Sequence, residues 1–520
     1  MSETVLITPN HISQTIDRLR VRLWKRRTGW GLALMSGLLA MSIPLGAAAQ
    51  NANLNATPDA GDIAVFTDEY DGAEFCANGI GDQPCAVLPV DVPEFDASFV
   101  YRFLAYHAQR PFDRFSWQAF TALMASTDAS DNAALWETFP TRRDVLSAVT
   151  YPNAACRDGL PNGHLLLASY VQSSGDVLVD QAGNFVLFEA RINPVARDYI
   201  LSKGLETKDG RAAFAKSGAA IDFPIGHMDR VADLAQPVLV ANGDDDAGTK
   251  PAAPAIPLSA PGVMGAQLLK FAWRILPDDP DDNAQDVGTG RAYYTRPARI
   301  SLGIDQTLDG QPKCLDVTVG LVGLHIVQRV ASGNGDRWIW SSFEHVDNVP
   351  LAANARRPNS IITDDPFADG CLAPDETDQA YAFYGGGTAK GGAANQSIAG
   401  DIRWADTRPF ARPVSGGALV PPDIVRCWRL FSGTAETNFV WQNKLAGTVW
   451  QNYMLLGTQW IGNPGGAPFG VGEVPRYLTN SALESFMQHQ SDATCLGCHS
   501  RASTDAGQPA NLTFLLDPAS

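Results

Sequence analysis

Residues Thr494 to Ser500 read TCLGCHS, which places Cys495 and Cys498 two residues apart and His499 directly after them. That spacing is the attachment site of a c-type haem. Each thiol can add to one porphyrin vinyl group, and the adjacent imidazole then serves as the proximal ligand of the iron. The same two cysteines could also form a disulfide, a redox dithiol or half of a zinc site. A zinc site needs two further ligands at short spacing, and neither Cys nor His occurs between Ser500 and Ser520. A thioredoxin-like dithiol opens a helix after a buried strand, whereas the polar run from Gln488 to Thr494 precedes this one. The expectation is therefore one covalent haem c, with Cys495 and Cys498 as attachment residues and His499 on the iron.

A second axial ligand has to come from upstream, because the tail after His499 contains no Met, His, Cys or Lys. We expect an open or weakly ligated sixth position, followed in preference by Met454 as the distal ligand and then by His325. The segment 330–337 reads VASGNGDR, and Asn334-Gly335 is a strong two-residue hairpin signal. A turn at those two residues sets His325 opposite Glu344, Arg329 opposite Trp340 and Val327 opposite Ser342. A carboxylate facing an imidazole fixes its tautomer and raises its basicity, so His325 and Glu344 are the candidate acid–base groups. The bland alternative is a satisfied sheet histidine beside a cation–π pair.

Covalent attachment of haem takes place outside the cytoplasm, and the start of the chain agrees with export. Six basic residues between Arg18 and Arg27 precede an apolar stretch that ends at Ala47-Ala48-Ala49. This is the pattern of a signal peptide over 1–49, with cleavage before Gln50. Left uncleaved, Trp30 to Ala49 is long enough to act as an N-terminal anchor; once it is cleaved, no membrane span is expected. The chain carries a formal net charge of −17, and losing the basic leader makes it more acidic still. Such a surface repels nucleic acid and anionic lipid, and suits a basic redox partner protein. Besides the haem pair there are six cysteines, an even number that suits disulfides in the periplasm. Cys76 and Cys85 enclose a turn-rich loop and are expected to pair. Cys156, Cys314, Cys371 and Cys427 allow three connectivities, which stay open.

The elements that must position the motif follow from periodicity. Residues 50–93 form an extended lead-in, and 94–478 a β-rich body. A buried helix is expected over 112–126, with Asp113 in its first turn, and short helices near 195–202 and 210–216. Runs at 164–172, 184–192, 267–276, 291–303, 315–330 and 337–346 have strand character. Residues 435–445 look helical, and 448–460 either strand or helix. The acidic loops at 244–246 and 278–282 are solvated turns rather than calcium loops, and the glycine run 384–392 is a flexible linker rather than a phosphate loop. A short helix over Ser481 to His489, capped by Ser481 and Glu484, leads into the haem segment of 479–520. The fold class is α+β, a β-rich body of antiparallel hairpins with several short helices. It is not a typical class I cytochrome c domain, whose motif stands near the start of about a hundred residues.

The segments FSWQAF (115–120), GLVGLHIVQ (320–328), WIWSSFEHVDNVP (338–350), VWQNYMLLGTQW (449–460) and LESFMQ followed by CLGCH resemble a group of bacterial exported cytochrome c family proteins. The resemblance spans most of the mature chain. It implies haem binding and a C-terminal attachment site, and carries over Cys495, Cys498 and His499 alone. Electron transfer or another redox role in the periplasm is the leading expectation. The alternatives are a haem enzyme of peroxidase or oxidase type with an open iron position, and a haem-based sensor or binding module.

Overall fold

Apolar side chains recur at every second residue in the runs 269–275, 298–302 and 315–321, and this period builds the central sheet. The computed structural model describes residues 88–92, 105–125, 133–147, 149–228, 262–277, 290–331, 338–358, 367–375, 377, 379–460, 475–490 and 493–517. The sheet comprises β1 (Leu165–Leu167), β2 (Leu187–Ile192), β3 (Gln267–Ile275), β4 (Thr295–Leu302), β5 (Lys313–Arg329), β6 (Trp338–His345) and β7 (Tyr453–Gln459). Its order is β1–β4–β5–β3–β2. The 17-residue β5 pairs with β3 along one edge; along the other it pairs first with β4 and then with β6, and β6 carries β7. Only β1 and β4 run parallel. The described α-helices are α1 (Ala105–Met124), α2 (Arg142–Val145), α3 (Pro194–Ser202), α4 (Lys208–Lys216), α5 (Ser432–Lys444) and α6 (Cys495–His499). The architecture is α+β and β-rich, in agreement with the sequence.

Both faces of the sheet are covered, which is why every residue of β6 is buried. On one face α1 and α5 seal an aromatic core: Trp117 stacks on Trp441 at 5.9 Å, and Phe120 on Phe343 at 4.5 Å. On the other, α3 and residues 475–517 lie over Ile192, Val327, Trp338 and Trp340. Glycine lets that C-terminal segment rest directly on the strands. A Cβ at Gly323 would stand 3.0 Å from Asn480 Oδ1, and one at Gly457 would stand 3.3 Å from Leu478 Cδ1.

Several expectations are corrected. Helix α1 begins at Ala105, so Asp113 lies in mid-helix, and it is fully buried. Residues 448–460 divide into a 3₁₀ turn, Val449–Asn452, and strand β7. Residues 481–489 form successive turns instead of a helix, because Ser481 spends its hydroxyl on Glu344 at 2.6 Å. The cap shifts back one residue: Glu484 accepts from Asn480 N at 3.0 Å, and Asn480 Oδ1 accepts from Ala482 N. At the end of the lead-in, Val90 and Val92 are buried core side chains. The glycine run 384–392 is not a linker: Gly385, Gly386 and Thr388 all turn their N–H groups onto the Asp423 carboxylate, an internal anion in a backbone nest. Of the three open connectivities, the fold selects Cys156–Cys314 and Cys371–Cys427. The Cys76–Cys85 pair, both acidic loops, the Asn334-Gly335 turn and the leader 1–49 lie outside the described residues, among which no helix is long and apolar enough to cross a membrane.

Candidate functional site

Cys495, Cys498 and His499 all lie on α6, a helix of five residues that needs outside support. Gln459, at the end of β7 and fully buried, supplies it. Its Oε1 accepts from Thr494 Oγ1 at 2.9 Å and from Leu496 N at 3.3 Å, and its Nε2 donates to the carbonyls of Pro475 and Arg476, each at 3.1 Å. Leu496 is buried in the apolar layer of Val327, Trp338 and Trp340. Cys495 packs on that layer and also on Val346, Met454, Leu456 and Leu478. The two α6 cysteines are not joined in a disulfide. Burial pushes the Cys495 thiol well up, so it stays protonated and is no thiolate nucleophile.

His499 is oriented from both sides. Its Nδ1 stands 2.9 Å from the Leu512 carbonyl, and its ring lies 4.3 Å from Trp340 and 5.1 Å from Phe514. A carbonyl can only accept, so we assign the ring proton to Nδ1, which leaves the Nε2 lone pair free to bind a metal. Burial pushes the imidazole down to about 4, against the pull of the Leu512 carbonyl, so it is neutral at pH 7. Asn511 and Leu512, which present that carbonyl, hold φ values of 53° and 64°. Non-glycine residues rarely adopt this left-handed conformation, at a cost of about 1–3 kcal/mol each.

The expected pairing of His325 with Glu344 is corrected by the register of β5 on β6. His325 lies opposite Ser342, Val327 opposite Trp340, Arg329 opposite Trp338 and Gly323 opposite Glu344. The displacement is two residues, and an even displacement keeps each side chain on its face. His325, Trp340 and Glu344 therefore still point toward the C-terminal segment, but with other partners. Glu344 receives the Arg426 guanidinium at 3.0 and 2.5 Å, with Ser481 N at 2.9 Å, and is a structural carboxylate. The cation–π partner of Arg329 is Trp338, at 5.8 Å.

The carboxylate nearest His325 is Glu484, with 3.4 Å from Nε2 to Oε2 and no hydrogen-bond alignment. On the opposite side Lys270 of β3 is its register partner. Burial raises the Glu484 carboxyl, but His325, Lys270 and the Asn480 N–H outweigh it and hold the group low. Met454 shares the same face opposite Glu344 and is buried among Val346, Leu456 and Leu478, beside Cys495.

The residues present fit a covalent haem. The thiols are unpaired with each other, and the neutral imidazole has its far nitrogen proton-free. Three buried ring nitrogens on the same face, Trp338 Nε1, Trp340 Nε1 and His325 Nε2, have no hydrogen-bond partner among the described residues. Buried donors of this kind are costly unless an acceptor arrives. Periodicity exposed the strands but missed Gln459, Lys270 and the Leu512 carbonyl. Glutamine carries no motif, and a backbone carbonyl leaves no trace in side-chain identity. Glu484 was visible as a capping residue, not as a partner of His325. No protein-family model, no curated protein and no solved structure matches the chain.

Proposed function

We propose that the protein is an exported, periplasmic c-type cytochrome that carries one haem on Cys495 and Cys498 and passes electrons to a redox partner protein. The observation that carries this reading is the hydrogen bond from His499 Nδ1 to the Leu512 carbonyl, which leaves a neutral Nε2 directly beside a Cys-x-x-Cys pair. Bound there, the haem would supply a one-electron couple at its iron. The chain's own residues do the rest. His499 offers Nε2 to the metal, Leu512 raises its basicity, Trp340 and Phe514 restrict ring rotation, and Gln459 sets the position of the helix. Two disulfides suit an oxidising compartment, and the acidic surface favours a basic partner. The resemblance to exported cytochrome c family proteins supports the same reading.

The test is expression with a c-type maturation system. The wild-type chain should keep its colour through acid–acetone extraction and denaturing electrophoresis, at one haem per chain. Cys495→Ser with Cys498→Ser should abolish retention, and His499→Ala should alter the spectrum while the disulfide-bonded body stays folded. Colour that washes out of the wild-type chain overturns the proposal. A ferric protein that reacts readily with cyanide and peroxide would favour the enzyme alternative over electron transfer.

A further inference from the structure

We propose that Lys270 and His325 bind the two carboxylates of the porphyrin attached at Cys495 and Cys498. The inference rests on the covalent-haem reading and assigns it two residues that the attachment motif does not reveal. Lys270 and His325 are direct register partners on adjacent strands, so their side chains share the sheet face that carries Trp340, against which His499 packs. Their same-face neighbours include apolar Leu268 and Val327, with Ser342 opposite His325 on β6.

A lysine placed there calls for an anion, and among the described residues none lies within ion-pair distance of its ammonium. Among the described residues the ammonium lies over the Phe188 ring at 5.9 Å, and its charge also acts on Glu484. His325 Nε2 is buried without a hydrogen bond, and only Glu484 approaches it. The patch thus holds one ammonium and one imidazole donor against a single carboxylate. A porphyrin brings two more carboxylates, which match an ammonium and an imidazole N–H in number and chemistry.

The layout of the sheet agrees. Cys495 packs on Met454 and Leu456 of β7 as well as on the Trp338 and Trp340 layer of β6, whereas Lys270 is on β3. The order β7–β6–β5–β3 separates β7 from β3 by three spacings, about 14 Å. The vinyl and carboxylate groups occupy opposite edges of the ring. Tethering on the β7 side therefore calls for cationic anchors away from β7, where Lys270 and His325 stand. Glu484 keeps the imidazole in place and limits the positive charge of the patch; it is a positioning residue.

The experiment uses the full chain matured with haem. Lys270→Met and His325→Gln should each shift the propionate bending bands in the resonance Raman spectrum. Lys270→Met should also lower the midpoint potential, because losing a cation favours the ferric state. Lys270→Arg should restore both readings, and exposed Lys203→Met should change neither. Should Lys270→Met fail to accumulate, Lys270→Gln carries the potential and His325→Gln the Raman reading. Coloured variants with wild-type bands and potential overturn the assignment alone. A wild-type chain without covalent haem overturns the reading beneath it, and the assignment with it.

Discussion

Glu344 is wholly buried, and among the described residues its compensation comes from the Arg426 guanidinium and the backbone and hydroxyl of Ser481. Removing one partner of such a pair leaves the other as an uncompensated buried charge, at a cost of about 3–5 kcal/mol. Glu344→Ala should therefore lower the unfolding free energy, measured by urea denaturation, by an amount in that range, and Glu344→Ala with Arg426→Met should recover most of it. A second residue sets behaviour in acid. His345 donates from Nε2 to the Ala292 carbonyl at 3.2 Å, accepts from Asp347 N at 3.2 Å, and stacks on Tyr293. Burial pushes its pKa down to about 3, so the fold keeps it neutral while the unfolded chain protonates it near 6.5. The stability it contributes is complete above pH 6.5 and is lost as pH falls from there toward 3, with a slope of roughly 1.4 kcal/mol per pH unit. His345→Gln should flatten that part of the stability–pH curve relative to wild type, as measured by chemical denaturation at fixed pH values.

At the scale of elements, what could be read from the sequence depended on whether local chemistry or a distant partner decided. Strands β3 to β6 and helices α3 and α4 follow from period and turn residues, because their side chains alternate or recur whatever they pack on. The start of α1 does not. The recurrence of Phe112, Phe115, Ala119 and Leu123 at helical spacing places the start at 112. The helix nonetheless runs back to Ala105, and Gln109 anchors that extra turn by donating to Thr458 O at 2.8 Å and accepting from Trp460 Nε1 at 3.0 Å. Those partners lie 349 and 351 residues away, outside any local pattern. The register of β6 on β5 shows the same limit: it lies two residues from the one a turn centred on Asn334-Gly335 would set. Of the candidate site, the spacing of Cys495, Cys498 and His499 was legible, and the groups that support them were not.

Gln109 also donates to Asp113 at 2.8 Å, as does Thr434 of α5 at 2.6 Å, so this carboxyl joins α1 to α5. Burial raises its pKa to about 6 against those hydrogen bonds. The sign is opposite to that of His345: the contribution is complete below about 3.8 and is lost as pH rises through 6. Asp113→Asn should be more stable than wild type at pH 7, by about 1–3 kcal/mol, and should lose the slope between pH 4 and 6. The Thr434 hydroxyl can rotate to accept from the new amide.

For the whole molecule, the disulfides link parts of the chain that the sheet alone does not hold. Cys156–Cys314 spans 158 residues and ties the turn Ala154–Arg157 to the start of β5, away from α6. Cys371–Cys427 spans 56 residues within an apolar layer that includes Trp428, Tyr477 and Ala493, and Cys427 N donates to Gln488 at 3.1 Å. That second layer carries the segment leading into Cys495 and Cys498, the attachment residues of the proposed haem. Which cysteines pair was not legible in the sequence, since it depends on tertiary neighbours rather than spacing. Chain entropy assigns the longer closure about 5 kcal/mol and the shorter about 4 kcal/mol. Replacing Cys156 and Cys314 with serine should therefore cost slightly more stability while leaving haem loading intact. Replacing Cys371 and Cys427 should cost stability and also lower the haem bound per chain, because the approach to α6 loosens. Denaturation midpoints and pyridine haemochrome titration on the same preparations separate the two effects. Equal haem content in both double variants would show that the Cys371–Cys427 layer supports the fold without preparing the attachment site.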